Sequence, residues 1–264
     1  IDLDKAIQFY RQADAIAHPD ANLRLGRLLF IRGQESDIAE APDFIRKAVD
    51  AGIVDAQFQY ARLLDKGENV SADANLAAVY YKQAAEAGIL QAQLRLAELY
   101  KGERRVAIDP EASFTWYLAA AEQGDASAAY AVGDAYLTGK GVKANRQQAA
   151  FWFEAAALAD FEDAAWRLIQ LMRSDINAAS ENNPAKSNSA YPDYLKLAAD
   201  KNNPEAALLY AQFILQKGVS DDAARQATAY LADAIEAGIA EAMFEMAVLL
   251  SNKSLVMHAP RRSL

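Results

Sequence analysis

Apolar residues along this chain follow a helical pattern that returns about every thirty-six residues. An alanine sets the frame: Ala21, Ala56, Ala92, Ala128, Ala164, Ala206 and Ala242 are spaced by 35, 36, 36, 36, 42 and 36 residues. Counted from that alanine, positions 0, +2, +4, +7 and +8 are mostly apolar, as in Ala128, Tyr130, Val132, Ala135 and Tyr136. Position +5 is usually small (Gly26, Ala61, Ala97, Gly133, Ala211, Ala247). A small residue there lets two helix backbones come close while larger side chains fill the flanks. The pattern predicts a first helix of about ten residues in each unit, starting at the anchor.

A second helix of about thirteen residues follows. It carries an aromatic pair or its relic at +24, as in Tyr80-Tyr81, Trp116-Tyr117, Trp152-Phe153 and Tyr230-Leu231, with Phe44-Ile45 and Tyr194-Leu195 as the equivalents in the irregular first and fifth units. Small pairs such as Ala84-Ala85, Ala120-Ala121 and Ala198-Ala199 come next. Four residues before each later anchor stand Gly52, Gly88, Gly124, Asp160, Asn202 and Gly238. Where glycine is replaced here it is by Asp or Asn, the other residues that tolerate a left-handed backbone, so this position reads as a helix C-cap. One such helix pair cannot bury its apolar face alone, so neighbouring pairs must stack.

The frame organises residues 1–252 as an array, with a half unit at 3–20, units starting near 21, 56, 92, 128, 164 and 206, and a last helix from 242. The fifth unit is longer, and its excess falls in a polar segment, 174–192, that reads as an exposed loop open to either insertion or contact. Residues 253–264 read as a short basic tail. Gly139 and Gly141 lie between two helices. The Gly-Lys here is followed by glycine rather than Ser or Thr and is preceded by a helix rather than a strand, so these are turn residues and not a phosphate-binding loop.

Composition removes several chemistries. The net charge of −9 argues against nucleic acid, which is bound mainly by clustered Lys and Arg. No cysteine is present, and the two histidines, His18 and His258, lie at opposite ends. Thiol nucleophiles, zinc–thiolate sites and histidine relays are therefore not expected. No apolar run reaches the length that spans a bilayer. The chain starts without Met or a signal peptide, in what reads as mid-helix, as a trimmed chain would, and self-association at that uncovered end is one expectation. No catalytic residue, cofactor or metal site is predicted.

With Gly133, Tyr136, Gly139-Lys140-Gly141-Val142, Asn145, Ala149, Trp152-Phe153, Ala156-Ala157 and a closing Asp160, the fourth unit resembles the Sel1-like repeat, a relative of the tetratricopeptide repeat. The third unit is similar, with Tyr100, Gly102, Val106, Asp109, Trp116-Tyr117 and Gly124, and the resemblance covers about residues 3–252. The pattern erodes in the first, fifth and sixth units, and Gln148 stands where the family usually has Lys. The absence of cysteine separates the chain from the secreted cysteine-rich branch, so no hydrolase activity is carried over. The resemblance implies an all-α, right-handed α/α superhelix, a solenoid that acts as a non-catalytic adaptor for proteins or peptides. Members occur in bacterial envelope and signalling systems and in eukaryotic quality control. The alanine-rich composition favours a bacterial periplasmic or envelope protein, with the cytoplasm as the alternative.

Positions +3, +6 and +10 of the first helices share one face and are polar. They supply Arg24 and Arg27, then Gln59, Arg62 and Lys66, then Arg95 and Glu98, then Asp134 and Thr138, then Arg167 and Gln170. By resemblance to tetratricopeptide arrays, this face would line a partner-binding groove. The first three units place five cations against one acid, Glu98, in an acidic protein. Two readings stay open: a solvated face balanced by acids elsewhere, or a groove for an acidic peptide or an anionic saccharide such as an exopolysaccharide.

Overall fold

The computed structural model describes residues 2–15, 18–102, 106–178, 191–216 and 220–257. Among them are fourteen α-helices and no strand. The chain forms two compact units, residues 1–146 and 147–264. In the first unit, α2 (Pro19–Arg32), α4 (Val54–Lys66), α6 (Leu90–Tyr100) and α8 (Ala126–Thr138) are first helices of the repeat. Their partners are α3 (Glu35–Asp50), α5 (Ala74–Glu86) and α7 (Pro110–Glu122), preceded by α1 (Leu3–Ala15). The second unit holds α9 (Arg146–Leu158), α10 (Ala164–Ala178), α11 (Tyr191–Asp200), α12 (Pro204–Gln216), α13 (Asp221–Glu236) and α14 (Ala240–Met257). From α1 to α8, and again from α10 to α14, each helix packs on the next in chain order. This is the contact order of an all-α solenoid, in which each repeat touches only its neighbours.

The first unit's core is correspondingly a series of small clusters. Ile7, Leu25, Leu29, Ala41 and Phe44 make one from α1, α2 and α3. Leu23, Ile45, Ala48, Val49, Ala56 and Leu63 make the next, and a third is built around Tyr81, Leu96 and Leu99. Position +5 is where the two helices of a unit come closest. A Cβ on Gly26 would meet Ile45 Cγ1 at 2.7 Å and the Ala41 carbonyl at 3.0 Å. In the third unit the Ser113 hydroxyl of α7 donates to the Ala97 carbonyl of α6 at 2.8 Å, across the same contact.

The turns explain the glycine, aspartate and asparagine pattern. Gly88 has φ +89°; its N–H donates to Ala85 O at 3.0 Å, and the next N–H, of Ile89, donates to Ala84 O at 3.0 Å. These two bonds satisfy carbonyls that the helix end would otherwise leave open. Asp160 (φ +65°) and Asn202 (φ +61°) close their helices in the same way. Between the two helices of a unit another bond recurs: the N–H of Asp73, Asp109 or Asn145 donates to the carbonyl at +8, of Leu64, Tyr100 or Tyr136, at 3.0, 2.9 and 2.8 Å. The Asp73 and Asp109 carboxylates also cap their helices, accepting from Leu76 N at 2.9 Å and Ala112 N at 3.0 Å. Gly139 and Gly141 are turn residues with φ +75° and +73°.

Two segments differ from the pattern-based expectation. Helix α10 runs on to Ala178 and α11 begins at Tyr191, so the edges of the 174–192 segment are helical, and residues 179–190 lie outside the described residues. Helix α14 reaches Met257, into the expected tail, of which 258–264 lie outside the described residues. The physical reason is the same in both. No Pro or Gly interrupts the backbone before Pro184 or Pro260, so the helix propagates past the end of its apolar pattern.

Buried acids tie the layers together. The Asp65 carboxylate is buried and accepts from Arg95 Nε at 2.7 Å, Arg95 Nη2 at 3.2 Å and the Tyr81 hydroxyl at 3.4 Å. Burial first, and then the Asp65 charge, push the Tyr81 hydroxyl pKa up. Asp37 is likewise buried against Arg32, which also reaches Asp4 at 2.9 Å. The hydrogen-bonded Arg32 guanidinium holds the Asp37 carboxyl below its ordinary range.

Two stability measurements check this description. A Cβ on Gly141 would sit 1.9 Å from the Pro110 carbonyl oxygen, whereas one on Gly139 would find nothing nearer than 3.5 Å. Urea unfolding should therefore show Gly141→Ala losing about 2–4 kcal/mol, from overpacking added to left-handed strain. Gly139→Ala should lose only about 1 kcal/mol, the strain alone. Arg95→Ala, which leaves Asp65 buried without its cation, should cost about 3 kcal/mol. In the double mutant Arg95→Ala/Asp65→Leu the loss should fall clearly below the sum of the single losses.

Candidate functional site

Surface chemistry in a stacked helix array is set by which side of each helix its partner leaves uncovered. In the first unit the close side, at +5, faces the second helix, and +3 and +6 point elsewhere. Arg24 and Arg27 are exposed on α2, Arg62 and Lys66 are exposed on α4, and Gln59 is half-buried beside them. Arg95 and Glu98 on α6 and Asp134 on α8 are half-buried. In the second unit Arg167 is half-buried and Gln170 exposed on α10, with Arg167 Nη1 donating to Gln170 Oε1 at 3.4 Å.

The cations are not equivalent. Arg27 reaches Asp55 at 3.5 Å, Lys66 reaches Glu68 at 3.3 Å, and Arg95 is held by Asp65 and by Glu98 at 2.8 Å. Arg24 and Arg62 make no ion pair among the described residues, and Arg62 lies over the Phe58 ring at 5.9 Å. The run of cations is thus more balanced by acid than the periodic face implies. Asp55 and Asp65 lie one residue before the anchor and nine after it, outside the polar positions, so the pattern does not register them. Asp65 does leave a sequence signal: an acid directly after the buried +8 residue of an apolar face requires a partner. Exposed pairs such as Arg27–Asp55 contribute about 0–1 kcal/mol and exchange readily for another carboxylate.

Two recesses open along this face of the first unit. One, of about 360 Å³, is lined by Leu23, Arg24 and Arg27 of α2 together with Ile53, Val54 and Asp55. The other, of about 510 Å³, lies among α6, α7 and α8, with Tyr100, Phe114, Tyr117 and Tyr130 as its aromatic wall. Ala131 and Asp134, at +3 and +6 of α8, line it, and Lys101 and Lys140 stand at its edge. Lys101 Nζ sits 5.7 Å from the Tyr117 ring centroid, and Ile108 is largely exposed beside it. The larger recess falls in the size range of ligand clefts and combines an apolar wall with a few charged groups, the usual make-up of a binding cleft. The sequence does not announce it, because Lys101 and Ile108 belong to the connection between two helices, where no period applies. Among the described residues no group of three His, Cys, Asp or Glu could hold a metal ion, and no helix is long and apolar enough to cross a membrane.

Comparison with known proteins agrees with this geometry. The Sel1 repeat model matches residues 2–13, 19–53, 54–89, 90–125 and 126–161, more than half of the chain. No curated protein sequence matches it. The structure is similar to that of c5321, a protective antigen present in uropathogenic Escherichia coli strains and displaying an SLR fold, with TM-score 0.68 and 26% identity over 94% of this chain and 52% of that one. The chain therefore spans about half the length of that antigen. It is also similar to a Sel1 repeat protein from Oxalobacter formigenes, with TM-score 0.55 and 23% identity over 85% of this chain and 86% of that one. Repeats matched in five successive stretches, left-handed caps where the repeats end and helix pairs stacked in chain order lead to one conclusion: this chain belongs to the Sel1 repeat family.

Proposed function

We propose that the chain is a non-catalytic scaffold of a bacterial protein complex, holding an extended acidic segment of a partner along the polar face of its first unit. The observation that carries this reading is that positions +3 and +6 of the first helices line both recesses, Arg24 and Arg27 at one and Ala131 and Asp134 at the other. Among the described residues Arg24 and Arg62 pair with no carboxylate, and such a guanidinium fork bonds both oxygens of a carboxylate. The aromatic wall of Tyr117 and Tyr130 suits an apolar side chain of the same segment. A bacterial setting is supported by the two bacterial proteins whose structures it resembles, and a place in the envelope is part of the proposal.

A second reading, contact with an anionic polysaccharide, draws on the same arginines and on aromatic rings that can stack on sugars. One experiment separates the two. A random peptide library displayed against the chain should enrich acidic sequences with an aromatic or large aliphatic anchor. Arg24→Glu/Arg62→Glu, and separately Ile108→Asp, should weaken the enriched peptides at least tenfold, about 1.4 kcal/mol, with unchanged melting temperature because all three residues are exposed. No enrichment, or enriched peptides indifferent to both variants, would refute the peptide groove. Salt-sensitive binding of a purified polyuronate in its place would establish the polysaccharide reading.

A further inference from the structure

The aromatic recess among α6, α7 and α8 carries a charge pattern separate from the arginines of the polar face. Two ammonium groups stand at its edge, Lys101 and Lys140, both exposed, and Asp134 is the one carboxylate among its lining residues. Neither lysine makes an ion pair among the described residues. Both are placed by helix ends. Lys101 is the C-cap of α6, its N–H donating to Ala97 O at 3.2 Å and Glu98 O at 3.1 Å. Lys140 directly follows the left-handed Gly139 at the end of α8, and its N–H donates to Ala135 O at 3.2 Å. The Lys101 ammonium lies 5.7 Å from the Tyr117 ring centroid, so positive charge borders the apolar wall directly. The recess therefore suits a group that is apolar at one end and anionic at the other.

Building on the peptide reading above, we propose that this recess receives the C-terminal residue of the partner, its side chain against the aromatic wall and its α-carboxylate at Lys101 and Lys140. Charge complementarity selects this occupant. In an extended segment successive side chains point to opposite faces, so an acid next to the anchor residue points away from the recess. An acidic side chain entering the recess would meet Asp134 on the α8 wall, so the anchor itself is uncharged. Only a chain terminus puts a carboxylate on the anchor residue, beside the side chain that enters the rings. A lysine ammonium is a compact charge with three donors and accepts a carboxylate from several directions. With the terminus held at α6 to α8, the acidic residues of the partner lie before it and run back toward Arg62 on α4 and Arg24 on α2. The direction of the bound segment is thereby fixed.

Two synthetic random peptide libraries test this, one with free C-termini and one with the same sequences amidated. The free library should enrich peptides that end in an aromatic or large aliphatic residue with acids before it. Amidating those peptides should weaken them about tenfold or more, because a charge-assisted contact is lost. Lys101→Gln/Lys140→Gln removes both charges at exposed positions, so the variant should keep the wild-type melting temperature. It should weaken the free peptides by a similar factor and leave their amides unchanged. Three results would each overturn the C-terminal anchor: amides that bind as tightly as the free acids, anchors in the interior of the enriched peptides, or a lysine variant that treats the two forms alike. The peptide groove survives any of them if Arg24→Glu/Arg62→Glu still weakens the enriched peptides. If neither library enriches anything, the groove and the C-terminal anchor fall together.

Discussion

The close contact between the two helices of a unit is the constraint on which the rest of the structure depends. A helix of the first unit, eleven to sixteen residues long, is marginal by itself and gains its stability by burying an apolar face. Here that face is buried at short range because position +5 is a glycine or alanine in every unit but the fifth, where it is Ile169: Gly26 has no room for even a Cβ beside Ile45. Close backbones leave space for large residues only at the flanks, which is where Tyr60 and Tyr80, and Tyr210 and Tyr230, meet edge to edge. The left-handed caps and the bond from the N-cap N–H to the +8 carbonyl then hold each turn tightly enough to keep the two faces in register. Tyr60, Tyr80, Tyr210 and Tyr230 are therefore used for packing, in agreement with their place on the apolar faces.

Function is what this constraint leaves free. One side of each first helix is committed to its partner, and another, at +3 and +6, is left to carry charge and to line recesses. In the first unit part of the arginine chemistry is committed to structure. Arg95 and Arg32 hold the buried carboxylates of Asp65 and Asp37, and a change to either cation acts first on stability. Among the described residues Arg24 and Arg62 hold no buried carboxylate.

Much of the fold was legible because its rules are local. The thirty-six-residue frame, the exchange of glycine for Asp160 and Asn202 at left-handed positions and the reading of Gly139-Lys140-Gly141 as a turn all follow from residues close together in sequence. The candidate site was legible only in part. The frame put Arg24, Arg62 and Asp134 on one polar face, but it credited Arg95 to that face without its buried partner Asp65, thirty residues away and in register only once two first helices lie side by side. The aromatic recess depends on how the α6–α7 connection folds back, with Ile108 against Gly102, and no periodic signal encodes that. The helical ends at Ala178 and Met257 were missed because backbone propagation, not apolar pattern, decides where a helix without a breaker stops.

The same substitution at two equivalent +5 positions tests the governing contact most directly. Ala61→Leu places a large side chain where α5 lies close, and Ala247→Leu places it on the bare surface of α14. Measured at micromolar protein by urea unfolding and far-UV circular dichroism, Ala61→Leu should lose about 2–3 kcal/mol through overpacking, and Ala247→Leu less than about 0.5 kcal/mol. Equal losses at the two sites, or a tolerated leucine at position 61, would mean that close approach of the paired helices is not what holds this chain together.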